Sequence, residues 1–104
     1  MTTPPEILDP FLAAADAAAA RPEVDAEIAR ELMAEAAAML HNSLALDALD
    51  PHDLGVVVAA LADDLTSADP GAAVRARADA EATALHDPAA AQAAYLVTVQ
   101  VLGL

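Results

Sequence analysis

The stretch Pro88–Leu104, which reads PAAAQAAYLVTVQVLGL, decides the fold that the sequence predicts. None of its side chains carries a formal charge, whereas the whole chain of 104 residues has a net charge of −13. A segment without a polar face has to be buried on most sides, under the rest of the chain, against a second copy or in lipid. We therefore expect the preceding residues to wrap around this closing segment.

Two secondary structures compete for the closing segment. Asp87 followed by Pro88 and an alanine tract is typical of a capped helix start. The second half instead alternates with a period of two and is rich in β-branched residues, at Tyr95, Val97, Val99 and Val101. We expect a continuous helix, because the capped tract nucleates it and burial outweighs the modest propensity cost of valine. A strand paired with Val56–Val58 is the alternative.

The closing segment is not expected to anchor the chain in a membrane. Its 17 residues fall short of the roughly 20 that a spanning helix needs. Gln92, Thr98 and Gln100 lie inside it, and no lysine or arginine flanks it. The start of the chain shows no basic segment followed by an apolar run, so no secretory signal is predicted and we expect a cytoplasmic protein.

The composition argues against several classes of function. Eleven aspartates and six glutamates stand against four arginines, and the chain has neither lysine nor cysteine. Direct binding to nucleic acid is disfavoured, because no basic patch is available to release counterions from phosphates. Without cysteine, disulfides, thiolate metal sites and a cysteine nucleophile are excluded.

A chain of this length is expected to form one domain, residues 1–104, in which residues 1–5 are a flexible arm. We predict an all-α fold, a small antiparallel bundle of four to five helices. The near-uncharged C-terminal helix is expected to be buried centrally or at a subunit interface. Because only 2% of the residues are aromatic, the core has to rest on close contacts between helices.

Asp-Pro pairs at positions 9, 50, 69 and 87 predict helix starts. The longest helix is predicted to begin at Pro22 and to end near His41 or Asn42, and later helices are expected at 51–66 and 72–86. Residues 44–49 fit either a short turn or a continuation of the long helix. Helical spacing predicts a core face on the long helix made of Val24, Ile28, Leu32, Ala36, Met39 and Leu40.

A row of four glutamates runs along the predicted long helix at successive i, i+4 positions: Glu23, Glu27, Glu31 and Glu35. Like charges with this spacing repel each other, and only Arg30 is near enough to offset them. Such a row is typical of an ordinary solvated helix face. It also creates a directed negative potential that speeds encounter with a positive surface. We therefore predict that these glutamates bind a basic protein partner.

The histidines of the chain are His41, His52 and His86. His41 and His52 flank one predicted connection that also contains Asp47, Asp50 and Asp53, an inventory that resembles a nitrogen and oxygen metal site. However, the sequence has no HExxH or ExxH spacing. Because histidines at helix ends are common without a ligand, no metal and no other cofactor is predicted. Neither a GxSxG motif nor a phosphate-binding glycine loop is present.

These observations favour a non-catalytic acidic interaction protein, such as an adaptor, inhibitor or assembly factor, that binds a basic protein. The apolar fraction of 58% in so short a chain also predicts a homo-oligomer. The residues predicted to mediate this self-association are Tyr95, Val97, Val99, Val101 and Leu102. The alternative is a small ligand-binding or catalytic helical bundle with a pocket near His41 and His52 or near Tyr95.

Overall fold

A computed structural model describes residues 3–80 and 84–104 of the chain. Its helices are α1 (Pro5–Ala18), α2 (Ala26–Asn42), α3 (Pro51–Leu65), α4 (Pro70–Asp79) and α5 (Pro88–Val101). Within these described ranges no residue belongs to a β-strand. The predicted all-α class is therefore confirmed, and the closing segment forms a helix rather than a strand.

Three of the four Asp-Pro pairs begin a helix in the predicted way. The side chains of Asp50, Asp69 and Asp87 each accept a hydrogen bond from the backbone N–H three residues later, at 2.8, 3.1 and 3.1 Å. In each helix, proline occupies the first position, where its missing N–H leaves no donor unpaired. Local capping chemistry thus fixes the starts of α3, α4 and α5.

The fourth pair, Asp9-Pro10, does not begin a helix, and this prediction was wrong. The helix α1 already begins at Pro5 and continues through Pro10. Its first turn is closed by the Pro4 carbonyl, which accepts from the N–H groups of Ile7 and Leu8 at 3.0 and 2.9 Å. Pro10 therefore removes a single backbone hydrogen bond from a helix that is already nucleated.

The long helix α2 begins later than predicted, at Ala26 rather than Pro22. Asp25 is its cap, since its side chain accepts the N–H of Ile28 at 3.0 Å. The predicted end at Asn42 is confirmed. The chain then forms turns rather than a prolonged helix, with Leu44 in the left-handed region at a φ of 61°.

The helix α4 is shorter than predicted, ending at Asp79 instead of His86. Ala80 is extended, with φ −75° and ψ 145°, and residues 84–86 are not helical. An i, i+4 pair between Arg77 and Glu81, which a helix over 72–86 would allow, involves a residue outside the described ranges. Arg77 instead forms an ion pair with Asp64 of α3, at 2.9 Å.

The core lies between the helices α1 and α3 and the helices that pack against them. The helix α1 packs against α2 and α3, and α4 packs against α5 and α3. The largest fully buried side chains are Phe11, Leu40, Leu61, Val57, Val58 and Val74. The radius of gyration is 12.9 Å, close to the value of about 13 Å that a compact chain of this length has.

The helix α5 is buried along one side. Ala91, Ala94, Tyr95 and Thr98 are buried, whereas Leu96 on the same helix is 49% exposed. Small alanines on the buried side let the α5 backbone approach α4 closely. Among the described helices, none is both long enough and apolar enough to cross a membrane.

The core face predicted for α2 is wrong at Ile28, Leu32 and Met39, whereas Leu40 is buried and Ala36 packs against the core. Ile28, Leu32 and Met39 are 56%, 61% and 38% exposed, and the buried positions are Met33, Ala37 and Leu40. Of the two other predicted members, Val24 lies before the helix and Ala36 is partly buried. The face that packs combines Met33 and Leu40 with the small Ala37, and the main contact of α2 is with α1.

An ion pair between α1 and α2 accompanies this orientation. The guanidinium of Arg30 donates from Nη1 to both carboxylate oxygens of Asp16, at 2.7 Å each. The side chains of Arg30 and Asp16 are 46% and 57% exposed, so this ion pair joins α1 and α2 at the surface.

Candidate functional site

The exposed side of α2 is the first candidate, and we call it the outer face. It comprises the apolar side chains Ile28, Leu32 and Met39 and the glutamates Glu27, Glu31 and Glu35. At 100° per residue, the three apolar positions fall within about 40° of one another around the helix axis. They lie on one side of the helix, Ile28 and Leu32 one turn apart and Met39 about two turns further along.

The glutamates run beside this apolar row. Around the helix, Glu31 lies about 60° and Glu35 about 20° from Ile28, so the acidic and apolar groups adjoin. All three glutamates are exposed. Glu23, the fourth member of the predicted row, is exposed but lies in the turn before α2. The row of carboxylates on the helix is thus one residue shorter than predicted.

The basic side chains of the chain are engaged away from the glutamates. Arg30 bonds Asp16 and Arg77 bonds Asp64, while Arg75 and Arg21 donate to backbone carbonyls, of Leu104 and of Ala18 and Thr66 respectively. Within residues 3–80 and 84–104, no ion pair involves Glu27, Glu31 or Glu35. The outer face therefore keeps its full negative charge.

The second candidate is a cluster of two histidines and two aspartates, which we call the His-Asp cluster. It consists of Asp50, His52 and Asp53 at the start of α3 and His86 just before α5. One possible ligand atom from each residue can be chosen so that all four lie within 4.8 Å of one another. The cap of α3 places the first three groups, and a contact across 33 residues adds the fourth.

Asp53 connects the two parts of the cluster. Its side chain is fully buried and accepts the backbone N–H groups of His86 and Asp87, at 2.9 and 2.8 Å. It also bonds Nδ1 of His52 at 2.9 Å. Burial raises the pKa of Asp53, but these three hydrogen bonds outweigh it and lower the pKa to about 2. The buried carboxylate is therefore ionised at neutral pH.

The two imidazole rings of the cluster stack on each other. The centroids of His52 and His86 are 4.2 Å apart and the ring planes differ by 14°. Nδ1 of His86 is 2.8 Å from Oδ2 of Asp50. The hydrogen bond to Asp50 and the negative charge of that carboxylate raise the pKa of His86 above its usual value. The pKa of Asp50 is lowered most by the hydrogen bond from the N–H of Asp53 and next by the hydrogen bond from His86.

The hydrogen-bond partner of each ring determines that its Nδ1 is a donor. An ionised carboxylate only accepts hydrogen bonds, so Nδ1 of His52 and Nδ1 of His86 each carry a proton. Three of the four residues of the cluster, all except Asp53, are exposed. The cluster thus presents two oriented imidazoles and a carboxylate to solvent, above a buried anion.

The structure brings together only part of the histidine arrangement considered from the sequence. His52, Asp50 and Asp53 converge, but the second histidine is His86, whereas His41 at the end of α2 and Asp47 are outside the group. A sequence signal for this did exist. In both places a histidine adjoins an Asp-Pro helix start, as Asp50-Pro51-His52-Asp53 and as His86-Asp87-Pro88.

The residues predicted to mediate self-association lie on α5 and at its end. Tyr95 is only 4% exposed. The other four are partly buried: Val97, Val99, Val101 and Leu102. The most exposed large apolar residue of this helix is Leu96, which the prediction did not include.

Comparison with known proteins gives no relative from which a function could be transferred. The chain matches no protein-family model, no curated protein and no solved structure.

Proposed function

We propose that this chain is a non-catalytic interaction protein whose outer face binds a basic amphipathic helix of another protein. The observation that carries the proposal is the row of Ile28, Leu32 and Met39, exposed by 56%, 61% and 38%. Contiguous apolar surface on a folded chain is typical of a binding site, and a helix laid along such a row is a recurrent mode of recognition.

The energetics of the apolar row favour a partner. Fully burying a leucine, isoleucine or methionine side chain stabilises by roughly 1.5–3 kcal/mol. In the isolated chain, these three residues gain little of that free energy because α2 packs through Met33, Ala37 and Leu40. A partner helix that covers the row would recover it, less the cost of ordering both surfaces.

The charge beside the row selects the chemistry of the partner. Glu27, Glu31 and Glu35 are exposed and form no ion pair in the described part of the chain. Pairing two outer faces from two copies would bring like charges together, which destabilises an interface. A helix with apolar residues on one side and lysine or arginine at its edges complements both features and is steered toward the acidic face.

Site-specific photocrosslinking tests this proposal. A photoreactive phenylalanine is placed at position 32 or, as a matched control, at position 96, where another leucine is exposed by 49%. We expect a protein with a basic amphipathic helix to be crosslinked from position 32 in cells of the source organism and not from position 96. A crosslink from position 32 to a second copy of this chain, or to nothing, would refute the proposal.

The captured protein is then purified and titrated against variants of the outer face. We expect L32S to weaken binding at least tenfold, and the triple variant E27Q/E31Q/E35Q to weaken it and to reduce its salt dependence. The variant E6Q, at an exposed glutamate on α1, is the control for loss of a carboxylate outside the outer face and should bind as the wild type does. Equal affinity of all variants would show that the crosslink was incidental.

A second proposal concerns self-association through α5, with this helix at a subunit interface. The observation that favours it is Leu96, an exposed leucine on an otherwise uncharged helix. In this arrangement Val97, Val99, Val101 and Leu102 complete the contact at its margin, and the buried Tyr95 holds the helix from within. Sedimentation equilibrium of wild type and L96S tests it, since a wild type that is monomeric at high concentration contradicts it.

A further inference from the structure

We propose that the His-Asp cluster is a binding site for one divalent transition-metal ion of the Zn²⁺ type. Two imidazoles and two carboxylates offer ligand atoms within 4.8 Å of one another. Two histidines with one or two carboxylates are a recurrent ligand set for Zn²⁺ in proteins. This site is separate from the outer face of α2, and the proposal is independent of the one made for that face.

The backbone holds the ligands in place before any ion binds. Asp50 caps α3, and this hydrogen bond fixes the turn that carries His52 and Asp53. His86 belongs to a different segment, but its N–H and that of Asp87 are bound by the buried carboxylate of Asp53. Metal binding therefore does not have to pay for folding a loop, which is the main cost at an unformed site.

The distances require only a small adjustment. Four ligands at about 2.0–2.1 Å from an ion in tetrahedral geometry lie about 3.4 Å from one another. Because the ligand atoms lie within 4.8 Å of one another, side-chain rotation has to draw them together by up to about 1.4 Å. His52 and His86 are exposed and adjust by rotation of their side chains, while Asp50 caps α3 through Oδ1 and offers Oδ2, and buried Asp53 is the fixed member. The ion takes the place of the proton between each Nδ1 and its carboxylate: a neutral ring keeps that proton on Nε2, and a ring that is doubly protonated before binding releases one proton.

The charge and the donor types indicate which ion is bound. The carboxylates of Asp50 and Asp53 have no arginine partner among the described residues, and their two charges balance a divalent cation. Imidazole nitrogen favours Zn²⁺, Ni²⁺, Co²⁺ or Cu²⁺ over Ca²⁺ and Mg²⁺, which prefer oxygen ligands. No thiolate is available, because the chain has no cysteine.

Calorimetric titration of the chelator-treated full chain with ZnCl₂ tests the site. We expect one Zn²⁺ per chain, and roughly 10-fold or greater loss of affinity in H52Q and in H86Q. The matched control is H41Q, which changes the one histidine outside the cluster and should bind Zn²⁺ as the wild type does. Far-UV circular dichroism of each variant verifies that the helices are retained.

A second measurement uses only the wild type and is independent of how the variants fold. In NMR spectra, ZnCl₂ should shift the ring protons of His52 and His86 and leave those of His41 unchanged, whereas CaCl₂ should shift none of them. Several weak Zn²⁺ sites per chain, unchanged binding in H52Q and H86Q, or equal responses to Ca²⁺ would each show binding to surface carboxylates alone. Any of these results overturns the proposal.

Discussion

The outer face of α2 and the His-Asp cluster depart from the usual division between apolar interior and charged surface in opposite ways. Leu32 is 61% exposed on the outer face, whereas the charged Asp53 has no exposed surface at all. Three hydrogen bonds from neighbouring groups compensate the buried carboxylate. Leu32 has no comparable compensation, because 61% of it stays exposed to water in the described part of the chain. The fold itself explains the buried charge, whereas the exposed leucine is the feature that the proposed partner would cover.

The largest effect is expected from a matched pair of leucine truncations on α2. L40A removes a side chain with no exposed surface and should lower the free energy of unfolding by about 2–5 kcal/mol. L32A removes the same atoms from the outer face and should change it by no more than about 0.5 kcal/mol. Urea denaturation followed by circular dichroism measures both, and similar losses in the two variants would show that the outer face is packed in solution.

The next largest effect is expected at Asp53. In chelator-treated protein, D53A leaves the backbone N–H groups of His86 and Asp87 without their acceptor, and should lower the melting temperature by about 10 °C or more. The control is D63A, at an exposed aspartate of the same helix, which should melt within about 3 °C of the wild type. If calorimetry gave equal melting temperatures for the two variants, Asp53 would not connect α3 to α5.

A pH effect is expected at Tyr95, on the buried side of α5. Burial raises its pKa above the ordinary value of 10.0, and the nearby positive charge of Arg77 only partly offsets this. Because the unfolded chain loses the phenolic proton first, the stability from this group is complete below pH 10 and is lost as the pH rises beyond it.

Absorbance at 295 nm measures this effect cleanly, since Tyr95 is the only tyrosine and the chain has no tryptophan. The native protein should ionise at a higher pH than the same protein in urea. Coincident titration curves would mean that the buried side of α5 is open to solvent.

The smallest effect is expected from the charge of the outer face. E31Q removes the repulsion of Glu31 by Glu27 and Glu35, each one helical turn away, and should stabilise the isolated chain by about 0.3 kcal/mol per pair. The gain should disappear in high salt, where exposed charges are screened. Destabilisation by E31Q at low salt would indicate that this glutamate has a cationic partner within the fold.

How much the sequence predicted depended on the range of the interactions involved. The capping aspartates Asp50, Asp69 and Asp87 could be identified because each bonds an N–H only three residues away. The contact between Asp53 and His86 spans 33 residues and depends on how α3 and α5 pack. Its local signal, a histidine beside each Asp-Pro pair, has meaning only once the two helix starts are known to meet.

The error at α2 has a different physical origin. Its sequence offers two apolar faces, one with the large residues Ile28 and Leu32 and another centred on Ala37. Hydrophobicity favours the first for the core, but the face that packs is the one around Ala37, and the main contact of α2 is with α1. The choice between the two faces is made by tertiary packing, and spacing along one helix does not contain it.

The residue two positions beyond the end of α2 combines a destabilising backbone conformation with an exposed apolar side chain. Leu44 holds a left-handed backbone, φ 61°, while 63% of its side chain is exposed. For an L-residue this conformation costs roughly 1–2 kcal/mol. Glycine would adopt it without that cost, and its presence would remove an apolar side chain from contact with water. Stability alone would favour glycine at position 44. Substitution of Leu44 by glycine is therefore expected to lower the tendency of the protein to associate and to raise its stability.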